Sequence, residues 1–177
     1  SYWQYKIKDF PSGMSQEAVY PLYLALKNNI FENITSKSRE DLKDIIFNGI
    51  KYSLKTQHSN GSVDDYYPFE QASGATAFTT YAILCCIEIG QISLSEKQLL
   101  KLKKRINWLY RKKESGRLSN HEALICLVLA KASQIFDDRN LYRLSIKRTC
   151  SLLKWRDEEG WFEEYNVVVG DEAHLFK

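Results

Sequence analysis

Long apolar runs are missing from this sequence, and so is a large excess of charge of either sign. Apolar runs such as residues 82–87 and 123–130 are far shorter than the roughly 20 residues that a membrane-spanning helix requires. The 25 basic and 22 acidic residues give a formal net charge of +3, which is too balanced to make nucleic acid or an anionic membrane the main partner. The first residues also lack the pattern of a secretory leader, so we expect a cytoplasmic protein unless a leader has been removed.

Cysteine is present at four positions, and their placement argues against a disulfide framework. Cys85 and Cys86 are adjacent, while Cys126 and Cys150 lie within apolar helical stretches. These positions predict buried, reduced thiols rather than bridges or a zinc site. The sequence also lacks a phosphate-binding loop, a nucleophile elbow and any metal-ligand spacing, so we expect neither a metal nor a cofactor.

A short pattern occurs three times: an apolar residue, a glycine seven positions later, and then an apolar residue with acidic or amide side chains nearby. The pairs are Leu54 with Gly61, Leu109 with Gly116, and Leu153 with Gly160. The glycines are 55 and 44 residues apart, and each interval holds two helical stretches. Such spacing is typical of stacked helical hairpins, so the sequence predicts an all-α repeat fold.

Apolar periodicity and turn residues predict six helices. They run from about residues 15 to 28, 38 to 58, 71 to 89, 95 to 113, 120 to 136 and 139 to 156. Ser15 is expected to cap the first, and the second is expected to bury a stripe of Leu42, Ile45, Ile46 and Ile50. From the second helix onward, charged amphipathic helices alternate with nearly all-apolar ones, which predicts an outer and an inner layer. The three glycine turns then share one rim.

A basic run lies over the predicted fourth helix and the turn after it. Its members are Lys101, Lys103, Lys104, Arg105, Arg111, Lys112, Lys113 and Arg117. Apolar residues recur beneath it at helical spacing, and no aromatic residues are interleaved for stacking on bases. We therefore interpret the run as a solvated outer face, with polyanion binding as the alternative.

Two segments carry a resemblance to known families. Residues 57–63, Gln-His-Ser-Asn-Gly-Ser-Val, resemble the Gln-x-x-Asp-Gly-Ser-Trp repeat of terpenoid cyclases and protein prenyltransferases, which share an α/α toroid. Residues 60–70 with 76–78, together with residues 159–165, look more narrowly like toroid domains related to heparinase II/III and alginate lyases. The resemblance spans about residues 50–165 and implies a partial α/α toroid of about three hairpins, in a single domain over residues 1–177.

The same segments depart from the cyclase and prenyltransferase patterns. Val63 stands where the repeat has tryptophan, and Arg156 stands where it has glutamine. The Asp-x-Asp-Asp acid motif of the cyclases and the zinc ligands of the prenyltransferases have no counterpart in the sequence. The resemblance therefore favours polysaccharide metabolism over terpene cyclization.

The lyase resemblance implies β-elimination at a uronate. In such enzymes an asparagine neutralises the carboxyl group, and tyrosine or histidine serves as base and acid. Asn120 and His121 match a pair at the start of an inner helix in several of these lyases, while Tyr66 and Tyr165 would supply phenols on the rim. An asparagine at a helix start is also a good cap, so a structural role stays open for it.

Further polar and aromatic residues fall on the predicted rim as candidate substrate-binding residues. They are Asp64, Asp65, Tyr67, Glu70, Trp161, Glu163 and Glu164. Aromatic faces beside carboxylates suit sugar rings, although each carboxylate can also be explained as a helix cap. Paired carboxylates also permit glycoside hydrolysis, provided that acid and base face one another across a cavity.

We therefore predict a saccharide-binding or saccharide-modifying protein of polysaccharide metabolism, with β-elimination as its chemistry if it is an enzyme. The alternative is a non-catalytic helical-repeat scaffold that binds a protein segment in its concave face. Three hairpins form about half of a closed toroid, so we expect further residues or a second subunit to complete the ring. The expected partner is a saccharide or another small polar ligand, with no nucleic acid and no membrane.

Overall fold

The structure, a computed structural model of the chain, describes residues 10–30, 36–89, 92–113, 116–164 and 167–168. Contacts along the chain divide it into two compact units, Ser1–Leu109 and Tyr110–Lys177. A single domain over residues 1–177 stays a prediction.

The described residues form six α-helices, two short 3-10 helices and one pair of two-residue strands, which confirms an all-α fold. The helices are α1 Val19–Lys27, α2 Arg39–Thr56, α3 Ser73–Glu88, α4 Glu96–Arg111, α5 Ser119–Ile135 and α6 Arg139–Leu152. The 3-10 helices are Met14–Ala18 and Leu153–Trp155, and β1, Glu163–Glu164, pairs antiparallel with β2, Val167–Val168. Among the described helices, none combines the length and the apolar character that crossing a bilayer requires.

The first helix begins later than predicted. Ser15 lies inside the 3-10 helix, and α1 starts at Val19 with Ala18 in the N-cap position, so the prediction that Ser15 caps this helix is wrong. Pro21 lies in the first turn of α1, where its missing amide hydrogen is tolerated because the first amides of a helix have no intrahelical acceptor. Tyr23 is buried further along the helix.

Helix α2 begins at a capping box. The Ser38 hydroxyl accepts a hydrogen bond from the Asp41 amide (3.1 Å), and the Asp41 carboxylate accepts one from the Ser38 amide (2.9 Å). Ile46 and Ile50 are buried, as the predicted stripe requires. Ile45 is exposed instead, because one residue along a helix turns the side chain by about 100° and moves it off the stripe.

Helix α3 is enclosed on most sides, as its lack of charge predicts. Twelve of its sixteen residues are buried. The buried hydroxyls of Thr76, Thr79 and Thr80 each donate to a carbonyl one turn earlier, so their burial leaves no donor unsatisfied. Helix α1 packs against both α2 and α3, and these contacts build the core of the first unit.

Helix α4 contributes a buried cation where we predicted a solvated one. Arg105 is 0% exposed, while its neighbours Lys103 and Lys104 are exposed. Arg105 lies on the same helix face as the buried Leu102, three residues earlier, and is therefore carried into the core. The assignment of Arg105 to a solvated outer face is wrong.

In the second unit, α5 packs along α6. Asp138 caps the start of α6 through two backbone amides. Glu122 of α5 and Arg148 of α6 form a largely buried ion pair, with 2.8 Å between Glu122 Oε2 and Arg148 Nη2. Arg148 also donates to the carbonyls of Tyr110 (3.0 Å) and Lys112 (2.8 Å) at the end of α4. This one guanidinium therefore holds the end of α4 to both other helices of the unit.

All four cysteines are free thiols. Cys85, Cys86 and Cys126 are buried, as predicted, whereas Cys150 is exposed on the solvent side of the amphipathic α6. The prediction of burial is therefore wrong for Cys150. Burial, with a smaller contribution from the neighbouring Cys85, raises the pKa of the Cys86 thiol to about 12, so this thiol stays protonated at neutral pH.

Candidate functional site

The first glycine pattern forms a tight hairpin turn. The His58 amide donates to the Ser62 carbonyl (2.9 Å), and the Gly61 amide donates to the His58 carbonyl (2.9 Å). Gly61 has φ of +103°, a backbone conformation that glycine adopts without the steric cost of a side chain. A three-residue loop that ends in such a glycine is a common hairpin connection.

The third glycine pattern repeats this turn bond for bond. The Asp157 amide donates to the Trp161 carbonyl (2.9 Å), the Gly160 amide donates to the Asp157 carbonyl (3.2 Å), and Gly160 has φ of +97°. In the second copy Arg117, which follows Gly116, has a left-handed backbone with φ of +47°. The sequence repeat is therefore a structural repeat in its first and third copies.

The chain after the first turn forms a loop that two carboxylates hold in place. We call residues 62–71 the aromatic loop. The Glu70 carboxylate accepts hydrogen bonds from the backbone amides of Asp65 (3.0 Å) and Tyr66 (2.7 Å). Glu70 therefore closes the loop onto itself, which fixes the backbone that carries the tyrosines.

Asp64 holds the two loop residues that have a left-handed backbone. Phe69 has φ of +64° and Gln71 has φ of +54°, and such a conformation costs a residue other than glycine about 1–3 kcal/mol. The Asp64 carboxylate accepts hydrogen bonds from both of these amides, each at 2.9 Å, and contacts His58 Nε2 at 2.8 Å. These charge-assisted hydrogen bonds offset the backbone strain.

The same contacts set the ionisation of this buried carboxyl group. Burial raises the pKa of Asp64, but the hydrogen bonds that it accepts, first the one from the Gln71 amide, outweigh burial and lower the pKa below its ordinary value. Asp64 is therefore an ionised structural brace at neutral pH.

The aromatic loop presents three aromatic side chains to solvent. Tyr66 is 43% exposed, Tyr67 is 65% exposed and Phe69 is 80% exposed. The centre of the Phe69 ring lies 5.9 Å from that of His58, whose ring is in turn fixed by Asp64. Clustered exposed apolar side chains typically mark a binding surface.

The structure brings five of the predicted site residues together in this one loop. They are Asp64, Asp65, Tyr66, Tyr67 and Glu70. The tyrosines are presented to solvent, Asp65 is buried, and the carboxylates of Asp64 and Glu70 are engaged by loop amides. The capping alternative therefore describes the contacts of Asp64 and Glu70 well, except that the capped amides belong to a loop rather than to a helix.

The aromatic loop is suited to stacking against a ligand. Its aromatic faces match the apolar C–H surfaces of a sugar ring, and its tyrosine hydroxyls can donate and accept hydrogen bonds. Across the part of the chain that the structure describes, histidine, cysteine, aspartate and glutamate side chains form no group of three that could hold a metal ion.

Two of the remaining candidates, Asn120 and His121, lie in the first turn of α5 in the second unit. The N-cap position of this helix is Leu118, so the interpretation of Asn120 as its cap is wrong. Asn120 is exposed, and its Oδ1 accepts a hydrogen bond from the His121 amide (2.8 Å). Because Tyr66 belongs to the first unit, its convergence with Asn120 on a common rim stays a prediction.

The last candidates follow the third turn. Trp161 is exposed, and its amide donates to the Asp157 carboxylate (2.8 Å). Glu163 and Glu164 form β1, and their side chains lie outside the described residues, as does all of Tyr165.

Comparisons with protein-family models, with curated proteins and with solved structures find no match. The likeness to α/α-toroid proteins therefore rests on the sequence motifs given above. The all-α fold rests on the six described helices.

Sequence reasoning missed Phe69 as a site residue. It lies within the segment that carries the lyase resemblance, between Pro68 and Glu70. Its exposure follows from the left-handed backbone that Asp64 stabilises. The only sequence signal for it is an aromatic residue in a loop beside two tyrosines.

Replacing Asp64 by asparagine is expected to lower the free energy of unfolding by about 1.5–3 kcal/mol, the range for hydrogen bonds to a charged group. Asparagine keeps the volume but offers one acceptor oxygen to three donors. The folded-state pKa of Asp64 is lowered, so its stabilisation is present above the unfolded-state pKa and is lost as the pH falls through the folded-state pKa. Wild-type protein should therefore lose more stability in acid than the variant does.

Urea denaturation at neutral and at acidic pH measures both effects. Asp44→Asn, which changes an exposed carboxylate on α2, is the control. Its free energy of unfolding at neutral pH and its loss of stability in acid should both be close to those of the wild type. Equal acid sensitivity of the wild type and the Asp64 variant would contradict the bracing role.

Proposed function

We propose that the chain is a saccharide-binding protein of the α/α-toroid type, and that the aromatic loop contacts the sugar. The observation that carries the proposal is the display of Tyr66, Tyr67 and Phe69 on a loop whose two left-handed residues share one carboxylate. Strained backbone that is held in place by its surroundings is typical of ligand-contacting segments. Completion of the toroid by further residues or by a second subunit belongs to the same proposal.

The proposed binding depends on the apolar area of the loop's aromatic rings and on the fixed position of the loop backbone. Covering an exposed aromatic ring with the C–H face of a sugar removes apolar surface from water, which contributes about 25 cal/mol per Å². Hydrogen bonds that the Asp64 and Glu70 carboxylates accept from loop amides already hold the loop backbone, so a ligand has less conformational entropy to restrict. The loop is therefore pre-organised for a flat ligand with apolar faces.

The chemistry that we propose for the protein is β-elimination of a uronate polymer, on the strength of the resemblance at Asn120 and His121. In this reaction the Asn120 amide neutralises the uronate carboxyl group, which makes the adjacent carbon acidic. A base, Tyr66 or His121, removes the proton from that carbon, the bond to the leaving oxygen breaks as the carbon–carbon double bond forms, and the leaving oxygen takes up a proton.

Removing the loop aromatics is expected to weaken saccharide binding without unfolding the chain. Calorimetric titration with oligosaccharides of polygalacturonate, alginate and hyaluronan should detect a ligand for the wild type. The double variant Tyr67→Ala/Phe69→Ala should bind it at least about tenfold more weakly, since about 1.4 kcal/mol of lost contact energy corresponds to a factor of ten. Tyr52→Ala, which removes an exposed aromatic ring on α2, should bind like the wild type.

Two further outcomes decide the proposal. Failure of every polymer in this panel to bind the wild-type protein would refute the saccharide function. Binding without growth of the absorbance of unsaturated uronate products would refute the β-elimination chemistry, and product formation that survives Asn120→Ala would refute the role of Asn120. Either result leaves the binding function in place.

A further inference from the structure

The second unit contains a cavity of about 530 Å³, and its lining includes none of the residues proposed above for sugar contact or catalysis. Its wall includes Arg111, Lys113, Lys147, Arg148, Glu122 and Trp155. The volume falls within the range of small-molecule sites, which is about 300–1,000 Å³. These residues come from the end of α4 and the segment after it, from α5 and α6, and from the 3-10 helix Leu153–Trp155.

Charge in this cavity is strongly unbalanced. Four cations and one carboxylate give it a formal charge of +3, equal to the net charge of the entire chain. The carboxylate, Glu122, is engaged by Arg148. Within the described ranges, Arg111, Lys113 and Lys147 have no ion pair of their own. Cations gathered in a concave surface repel one another, and an anion that enters relieves this repulsion.

The fixed position of Arg148 prepares the cavity for an anion. The carbonyls of Tyr110 and Lys112, at the negative end of α4, would by themselves repel an anion. Arg148 donates to both of these carbonyls at 3.0 and 2.8 Å and so counters their charge. Because its hydrogen bonds also hold it to Glu122, this guanidinium needs little rearrangement when a ligand enters.

The aromatic part of the wall identifies the rest of the ligand. Trp155 and Tyr110 line the same cavity, and the Arg117 guanidinium lies 5.9 Å from the centre of the Trp155 ring. An aromatic face beside cations suits a small ring that has apolar C–H surfaces and one anionic group. We propose that this cavity binds a monosaccharide-sized anionic sugar, either a sugar phosphate or a uronate.

Titration calorimetry at low ionic strength tests this site with four probes: glucose 6-phosphate, glucuronate, glucose and inorganic phosphate. At least one of the two anionic sugars should bind more tightly than both glucose and phosphate, and the tighter of them identifies the anion. The double variant Lys113→Gln/Lys147→Gln should weaken this binding at least about tenfold. Trp155→Leu removes the aromatic face from the wall. If the ligand is a sugar phosphate, its affinity should fall to that of inorganic phosphate. If the ligand is a uronate, its affinity should fall below that of inorganic phosphate.

The matched control is Arg143→Gln, which removes an exposed cation from α6 outside the cavity wall and should leave the affinity unchanged. Circular dichroism verifies that each variant is folded. The proposal is overturned if neither anionic sugar binds more tightly than glucose, if phosphate alone binds as tightly as both, or if Arg143→Gln weakens binding as much as the double variant. The variants at positions 113, 147 and 155 leave the aromatic loop unchanged, so their effect on binding distinguishes this site from the one proposed above.

Discussion

Truncating Arg105 to alanine is expected to lower the free energy of unfolding by about 2–5 kcal/mol, the range for removing a large buried side chain. Arg105 is 0% exposed, and burial lowers its pKa to about 9, so it remains a cation at neutral pH. Its guanidinium donates to the Ser53 carbonyl (2.8 Å), the Ser53 hydroxyl (3.1 Å) and the Thr79 hydroxyl (3.3 Å). Alanine would leave a cavity where α2, α3 and α4 meet and would remove the guanidinium donor from the Ser53 carbonyl.

The contributions of packing and of hydrogen bonding can be separated with Arg105→Met. No carboxylate in the described part of the chain contacts Arg105, so its burial carries a desolvation cost that no ion pair repays. Methionine fills much of the volume without that cost, and the loss of stability should be less than half of that for alanine. Urea denaturation followed by circular dichroism measures both variants.

Lys104→Ala is the matched control, since Lys104 is the exposed neighbour of Arg105 on the same helix. Its stability should stay within about 0.5 kcal/mol of the wild type. A loss for Arg105→Ala no larger than that for Lys104→Ala would contradict the structural role of the buried cation. A larger loss for methionine than for alanine would show that packing is not the main contribution.

Replacing Gly61 by alanine should destabilise the protein more than the equivalent change at Gly160. Both glycines have φ near +100°, so either alanine bears a backbone strain of about 1–3 kcal/mol. At position 61 the added carbon would also lie 2.7 Å from the Arg105 backbone nitrogen and 2.8 Å from its Cα. Backbone atoms of a helix cannot move aside cheaply, so Gly61→Ala should cost about 1–3 kcal/mol more.

Gly160→Ala serves as the control for this experiment because its added carbon would meet only the end of a flexible side chain. That carbon would lie 3.0 Å from Arg156 Nη2, which can rotate away. Thermal and urea denaturation of the two variants give the comparison, and complete loss of the folding transition in Gly61→Ala is the upper end of the expected range. Equal destabilisation would show that close packing of the first turn against α4 contributes nothing.

The glutamine of the repeat motif illustrates how sequence and tertiary contacts divide the information. Gln57 Nε2 donates to the Lys101 carbonyl (3.1 Å), and Gln57 Oε1 accepts from Arg105 (3.2 Å), so this residue joins the end of α2 to α4. In the third copy Arg156 occupies the corresponding position, yet the turn after it has the same hydrogen bonds. The turn is therefore specified by the local residues around the glycine, and the glutamine serves the packing of helices.

The part of the candidate site that depends on neighbouring residues in the sequence was predictable. Turn residues and the neighbouring tyrosines indicated a loop that displays Tyr66 and Tyr67, and the structure exposes both. The roles of Asp64 and Glu70 were not predictable, because the sequence does not distinguish a carboxylate that braces a loop from one that faces a ligand. The backbone amides around each carboxylate decide between these two roles.

The sequence by itself determined the six helices, the enclosure of the uncharged α3, and the turns at Gly61 and Gly160. These features depend on periodicity, charge and backbone freedom within a few residues. The tertiary structure alone decided that Arg105 is buried, that Phe69 is exposed, and that Arg148 stands in a cationic cavity with Lys147. Such features depend on contacts between residues far apart in the chain, and a local pattern does not encode which helix will cover a given side chain.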